Sequence, residues 1–364
     1  MPTLTSEQFQ ELSIRMFKAA GATDSEAELI TDTLLWASLH GHDSHGIGHL
    51  AIYARNYSAP PAEGGRLRLC GPFQEYRIVK ETPATIAIDG NWCMGQKVAL
   101  DATLKTIEKA KQTGIAAATI TNSLHNGANG YYVSKIVEQD MIGIVCTLAG
   151  AASPPWGGIE RMLGTNPIAF GFPAKDEPPI IIDTTTSATS WAGLRPYLAA
   201  GKIPPGLVLN SEGEPTTNPK DFNFGSSAAG GLMNNMAGNH KGYALQLAVE
   251  MLGGILPGLL TGNEVSREGK LNNPALIIAI NVSFFQDLDA YKAKMDERIR
   301  EIRGSKRKKD VERIWLPGER GHETAQKRLR EGIPMHDSYW KEIVETAEAL
   351  NVDIGDLVSE PQRL

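Results

Sequence analysis

Apolar positions recur at helical spacing through the first fifty residues, and then the rhythm changes. Thr5 with Gln8, and Thr23 with Glu26, have the spacing of capping boxes that open helices. Phe9, Leu12 and Met16 follow the first box on one helical face, and Gly21 stops that helix. Leu29, Ile30, Thr33, Leu34 and Ala37 continue the second, which is predicted to fray near His40. After the polar Gly41, His42 and Asp43, Ser44 is the expected N-cap of a third helix reaching about Tyr57. Pro60 and Pro61 end it, and residues 63–71 read as a linker.

From Tyr76 onward, short β-rich runs at 85–88, 115–120, 142–148 and 167–172 alternate with helical stretches such as 98–112. A further strand is predicted at 180–183, and a Gly/Asn-rich loop leads into a helix over about 240–252. The charged tail over 284–313 is predicted to be helical, with Lys306 to Lys309 in a solvated loop. The pattern predicts an α/β (α+β) chain: an α/β unit over 76–269, and a mainly helical unit from 1–75 and 270–364.

Totals narrow the function. The 364 residues suffice for two domains, and the formal net charge of -6 argues against a nucleic-acid or acidic-membrane partner. Three scattered cysteines exclude a disulfide framework and fit a reducing, cytoplasmic compartment. The polar N-terminus is no signal peptide, and no apolar run is long enough to span a bilayer. Gly46, Gly48 and Ala51 match a dinucleotide-binding GxGxxA pattern, but they sit in a helical pattern with no strand before them, so the match is rejected.

Four of the eight histidines, His40, His42, His45 and His49, fall within ten residues. If Ser44 caps the third helix, His45 lies in its first turn, where the positive helix end disfavours imidazolium. A neutral imidazole suits a general base that takes a hydroxyl proton. His49 is four residues on and on the same face, where it could help bind a substrate carboxylate. The same i, i+4 spacing could instead hold a metal, although no acid stands at the HExxH position. A third reading is a set of surface histidines.

Further residues carry a resemblance. Asp43-Ser44-His45-Gly46 resembles the DSHG motif of the type-2 malate/L-lactate dehydrogenase family. Gly95-Gln96, Ser123-Leu124-His125-Asn126-Gly127, Gly130-Tyr131-Tyr132, Trp156-Gly157-Gly158 and Leu163-Gly164-Thr165-Asn166-Pro167 resemble its later elements in order. So do Gly213-Glu214-Pro215-Thr216-Thr217, Lys241-Gly242-Tyr243 and Pro317-Gly318-Glu319. The resemblance implies a non-Rossmann NAD(P)-binding domain and a homodimer with its active site near the subunit interface. It implies a hydride transfer between NAD or NADP and a small 2-hydroxy or 2-keto acid. His45 would be the acid/base, assisted by Ser44 and Asp43; His125 would line the same pocket; His49, Thr165 and Asn166 would contact substrate.

The implied cofactor contacts are Asp183, Thr184, Thr185, Thr186, Ser187 and Ala188, then His240 and Lys241, then Pro317, Gly318 and Glu319. Hydroxyls at a strand end and a lysine opening a helix suit a phosphate-bearing ligand, and read equally as a polar turn and a lysine on a solvated helix. No metal is expected. A cyclic imine reductase on the same scaffold is the nearest alternative, and a histidine-cluster metal-binding protein a remote one. The chain departs from the family at His49 and His40, where arginine is common, and at Leu124 and Asn126 beside His125. A histidine at position 49 cannot clamp a carboxylate bidentately as arginine does.

Overall fold

In the computed structural model, which describes residues 2–57, 68–222, 232–267 and 270–357, both predicted capping boxes form. Thr5 opens α1 (Ser6–Ala19) and Thr23 opens α2 (Asp24–Leu39), each with the reciprocal pair of hydrogen bonds. Phe9, Leu12 and Met16 are buried, and His40 ends α2. The expected Pro60 and Pro61 stop, and most of the linker after it, lie outside the described residues.

The third helix, α3 (Ile47–Tyr57), starts later than expected and is not capped by Ser44. Its first amide, that of Ile47, donates to Ser38 Oγ of α2 at 2.9 Å. The reason is close packing of the loop onto α2: a Cβ on Gly46 would fall 2.2 Å from Ser38 Oγ. Ser38 therefore does the work expected of Ser44.

Seven strands form the main sheet: β1 (Arg77–Glu81), β2 (Thr85–Asp89), β3 (Ile115–Thr121), β4 (Met141–Thr147), β5 (Ile168–Phe172), β6 (Ile180–Thr184) and β7 (Ala275–Asn281). Their spatial order is β1-β2-β3-β7-β4-β5-β6, and only β2 and β3 run parallel. A doubly wound dinucleotide fold is mostly parallel, so this is a different α/β architecture. The sheet corrects one expectation. Residues 275–281 were assigned to the helical unit, yet they pair with β3 on one side and β4 on the other. Their run Ala-Leu-Ile-Ile-Ala-Ile is largely buried, as a central strand must be.

Helix α4 (Gly95–Thr113) packs across β3 and β7, and α5 (Asn129–Val137) packs on β4 and β5. Beyond β6 come α6 (Trp191–Ala199) and α7 (His240–Glu250), the latter running into a π-helical turn at Met251–Ile255. The tail is helical only in α8 (Leu288–Arg303), which ends at Gly304. Lys306 to Lys309 are exposed and outside any helix. Two more helices, α9 (Glu319–Glu331) and α10 (Asp337–Ala349), return to the N-terminal helices; α9 meets α2 and α10 meets α3. One apolar core joins α1–α3 and α10 to the sheet face that carries α4 and α5. Among the described residues, no helix is long and apolar enough to cross a membrane.

Candidate active site

Three histidines meet where α3 approaches the β3–α5 loop. The ring centroids of His45 and His49 are 5.5 Å apart, of His45 and His125 5.9 Å, and of His49 and His125 5.2 Å, with near-parallel planes. His45 comes from the turn before α3, His49 from its first turn, and His125 from the loop. Gly95 makes the approach possible: a Cβ there would lie 2.1 Å from the Leu124 carbonyl oxygen and 2.4 Å from that of His125. The loop thus rests directly on the first turn of α4. Tyr53, one further turn along α3 from His49, hydrogen-bonds His125 Nδ1 through its hydroxyl. Tyr53 follows His45 and His49 at four-residue spacing, a signal that the sequence reading passed over.

Hydrogen bonds fix much of the proton arrangement. His49 Nδ1 contacts the Ser44 carbonyl oxygen, which can only accept, so Nδ1 carries the hydrogen and Nε2 is the bare nitrogen of the neutral ring. His45 Nδ1 lies 2.9 Å from Ser44 Oγ. All three rings are held below the ordinary histidine pKa. Burial is the main cause for His45, pushed down to about 4, with His49 and His42 adding and Asp183 opposing. Burial also takes His49 to about 4, against the pull of its bond to Ser44 and helped by the charge of Arg195. His125 falls well below its usual range through burial and its two histidine neighbours. Near neutral pH the trio is uncharged. His45 is therefore competent as a base, and His49 does not act as a cation for a carboxylate. Among the described residues, no three histidine, cysteine or carboxylate side chains converge as a metal-ligand set.

Asp43 does not orient His45. It pairs with Arg328 of α9, through Nη2 at 3.1 Å and through Nη1, and Arg328 also reaches the Ser38 carbonyl. Its role is to tie the histidine loop to α9, and the partner of His45 is Ser44. Leu124 and Asn126 flank His125 in the chain. Both are buried; Leu124 donates its amide to the Cys93 carbonyl, and Asn126 donates to Thr147 Oγ1 at 3.1 Å.

Of the expected cofactor contacts, Asp183, Thr184, Pro317 and Gly318 meet at the end of β6. A cavity of about 860 Å³ is lined there by Trp36, His42, Asp183, Thr184, Pro317 and Gly318 among others. Gly318 has φ +91°, and a Cβ on it would sit 2.8 Å from the Ile181 nitrogen, so only glycine lets this turn close on the strand. Asp183 accepts the Gly130 amide at 2.7 Å, and Thr184 is exposed.

Beyond Thr184 the hydroxyls turn inward. Thr185 bonds the Ser187 carbonyl, Thr186 the Asn166 carbonyl and Ser187 the Thr189 carbonyl. Ala188 and Thr186 pair with the segment at Asn234 and Met236 that leads into α7. His240 and Lys241 are exposed at its start, but the Lys241 and Gly242 amides already donate to the Asn239 side chain at 3.0 and 3.3 Å. Lys241 offers its ammonium rather than those amides.

Two expected ligand contacts, Glu319 and Asn166, have side chains bonded to the scaffold, and a third, Thr165, is bonded through its carbonyl alone. Glu319 is buried, bonded to Arg303 Nε at 3.0 Å and to the Leu316 amide at 3.0 Å. Asn166, also buried, holds the Gln246 carbonyl and Glu250 Oε2 at 3.1 Å each and accepts the Ala149 amide. Thr165 contributes its carbonyl to Thr186. Conversely, Arg195 of α6, whose charge acts on His49, carried no sequence signal.

Comparison with known proteins bears on the family of the chain. The family profile described as malate/L-lactate dehydrogenase matches residues 4–344. The malate dehydrogenase of Pyrococcus abyssi is 36% identical over 343 residues, covering 93% of this chain and 92% of that protein. The L-sulfolactate dehydrogenase of Methanocaldococcus jannaschii is 33% identical over 358 residues, covering 98% and 99%. The crystal structure of malate dehydrogenase from Entamoeba histolytica superposes with a TM-score of 0.87 at 27% identity, covering 96% of this chain and 98% of that one. A family profile matched over nearly the whole chain, and relatives of matching length and fold, lead to one conclusion: the chain belongs to the malate/L-lactate dehydrogenase family.

Proposed function

We propose that this protein transfers a hydride between NAD or NADP and C2 of a small 2-hydroxy or 2-keto acid of the malate, lactate or sulfolactate type, with His45 as proton acceptor and donor. Family membership makes it an oxidoreductase acting on a CH–OH group. The names of its relatives, malate and L-sulfolactate dehydrogenase, suggest the substrate class. The observation that carries the reading is His45 itself: half-buried, kept neutral, and held at Nδ1 by Ser44 so that Nε2 is left to exchange a proton.

The residues at the end of β6 fit a dinucleotide. The cavity there falls within the usual range for ligand sites. Asp183, Thr184 and Gly318 would hold the cofactor, with the Lys241 ammonium available to its phosphates. Bound nicotinamide supplies the hydride acceptor or donor. In the oxidative direction His45 Nε2 takes the hydroxyl proton, while Ser44 Oγ accepts the Nδ1 hydrogen. Asp183 favours the imidazolium that results. If Tyr53 donates to His125 Nδ1, His125 presents an Nε2 hydrogen to the substrate oxygen as charge develops there. Asn166 and Glu319 hold the scaffold around them.

A cytoplasmic homodimer completes the reading. Three free, buried thiols suit a reducing compartment, and the exposed Leu245, Leu247, Met251 and Leu252 offer an apolar face for a second copy.

Loss of NADH and NADPH absorbance with a panel of 2-keto acids and cyclic imines tests the function. Turnover of a keto acid is expected. Turnover of imines alone would reassign the protein to imine reduction.

A further inference from the structure

A 2-hydroxy acid brings a carboxylate into a site whose three histidines are neutral, so its charge needs a cation from elsewhere. Among the described residues, several nearby cations are already matched. Arg328 is held by Asp43, and Lys97 is held by Asp101 at 2.6 Å. Arg195 is different. It projects from α6 onto the corner between α3 and α10, with its guanidinium carbon 5.4 Å from the centre of the Tyr339 ring. Tyr339, on α10, packs against α3 at Gly48, the residue before His49: its Cζ would be 3.1 Å from a Cβ on Gly48. Arg195 Nη2 contacts Glu342 Oε1, but Glu342 also takes Arg55 at 3.4 Å through its other oxygen. One carboxylate thus serves two arginines. With the Asp43–Arg328 pair added, three arginines face two carboxylates around Tyr339, an excess of one positive charge. The Arg195 side chain is 26% exposed, and its bond to Glu342 occupies one of five donors.

We infer that Arg195 is the residue that recognises the substrate carboxylate, taking the place of the arginine that the family commonly carries where this chain has His49. The inference rests on the hydroxy-acid reading above. Arg195 also lies close enough to His49 for its charge to add to burial in lowering the His49 pKa. Planar and always charged, guanidinium can hold a carboxylate through two parallel hydrogen bonds, which the bare Nε2 of neutral His49 cannot. A helix that follows directly from the β6 end would then bring the anion-binding group toward the cofactor side of the histidine trio.

The test compares Arg195→Met, Arg195→Lys and Glu342→Gln with wild type, using pyruvate and its neutral amide, pyruvamide. Arg195→Met should raise KM for pyruvate about a hundredfold, the scale of a lost charge-assisted pair, with kcat and the KM for nicotinamide within about threefold. Its effect on pyruvamide should be under about threefold. Arg195→Lys should restore part of the loss, and Glu342→Gln, which removes a competing carboxylate, should lower KM for pyruvate. Equal damage to pyruvate and pyruvamide, or no change in either, would overturn the inference. If wild type reduces no 2-keto acid, the hydroxy-acid reading itself fails. Calorimetric binding of oxamate then decides the role of Arg195: loss in Arg195→Met upholds a carboxylate site, and unchanged binding removes it.

Discussion

Acidification should barely affect the oxidative reaction. An ordinary histidine base titrates near 6.5, so at pH 5.5 about one tenth of it would be neutral. His45 is held down to about 4 by burial and by its histidine neighbours. The sign follows directly: a lowered pKa keeps the base form present as pH falls, so at pH 5.5 about 97% of His45 remains neutral on the titration scale. The value of kcat/KM for the hydroxy acid, which reports the enzyme form that meets that substrate, should therefore change less than about twofold between pH 7.5 and 5.5 for hydroxy-acid oxidation, where an unperturbed base would lose about tenfold. The reverse reaction behaves oppositely. Only about one enzyme in a thousand carries the proton on His45 at pH 7, so kcat/KM for keto-acid reduction should rise about tenfold for each unit of acidification between pH 8 and 5. Stopped-flow or initial-rate profiles in both directions, at saturating nicotinamide, measure this. An acid limb at pH 6–7 in the oxidative direction would refute the burial argument for His45.

Three further outcomes follow from packing. Gly95→Ala forces a Cβ into the Leu124 and His125 carbonyls; misplacing His125 by about 1 Å should cost about a hundredfold in kcat with the circular dichroism spectrum unchanged, and activity within threefold would show that the loop yields freely. Glu319→Gln weakens the hold on Arg303, which keeps Glu177, and on Arg313, which keeps Glu323, and should cost about 1–2 kcal/mol on denaturant unfolding while nicotinamide affinity moves less than about threefold. A large affinity change with unaltered stability would return Glu319 to the cofactor site. Ser38→Ala removes the bond to the Ile47 amide and should cost about 1 kcal/mol by thermal unfolding, whereas Ser44→Ala should cost less stability and more activity.

Local signals in the sequence were reliable where a residue's partner lies nearby in the chain. The Thr5–Gln8 and Thr23–Glu26 boxes formed as their spacing dictates, and the β-rich runs from 85 to 184 became β2 through β6. The strand at Ala275–Asn281 was missed because its apolar run has no alternation, the mark of burial on both faces. The histidine segment was legible as chemistry, but the wiring around it was not. Ser44 looked like a cap, yet tertiary packing of Gly46 gave that role to Ser38. Asp43 looked like the orienter of His45, yet Arg328, far along the chain, claims it. Motif membership also blurred two kinds of residue: Asn166 and Glu319 stand in motifs that surround a site, and their own polar atoms are bonded to the frame. Arg195 had no marker, because its significance comes only from which helix corner it reaches.

The central claim is that His45 moves the substrate proton. The direct measurement is the single-turnover rate of nicotinamide oxidation by His45→Gln with the keto acid that wild type reduces best, alongside cofactor binding by fluorescence titration. A positioned acid–base group is worth about 10²–10⁴ in rate; the variant should lose that much and still bind cofactor within about threefold of wild type. A folded variant retaining activity within about tenfold would contradict the claim, because the proton would then travel by another group.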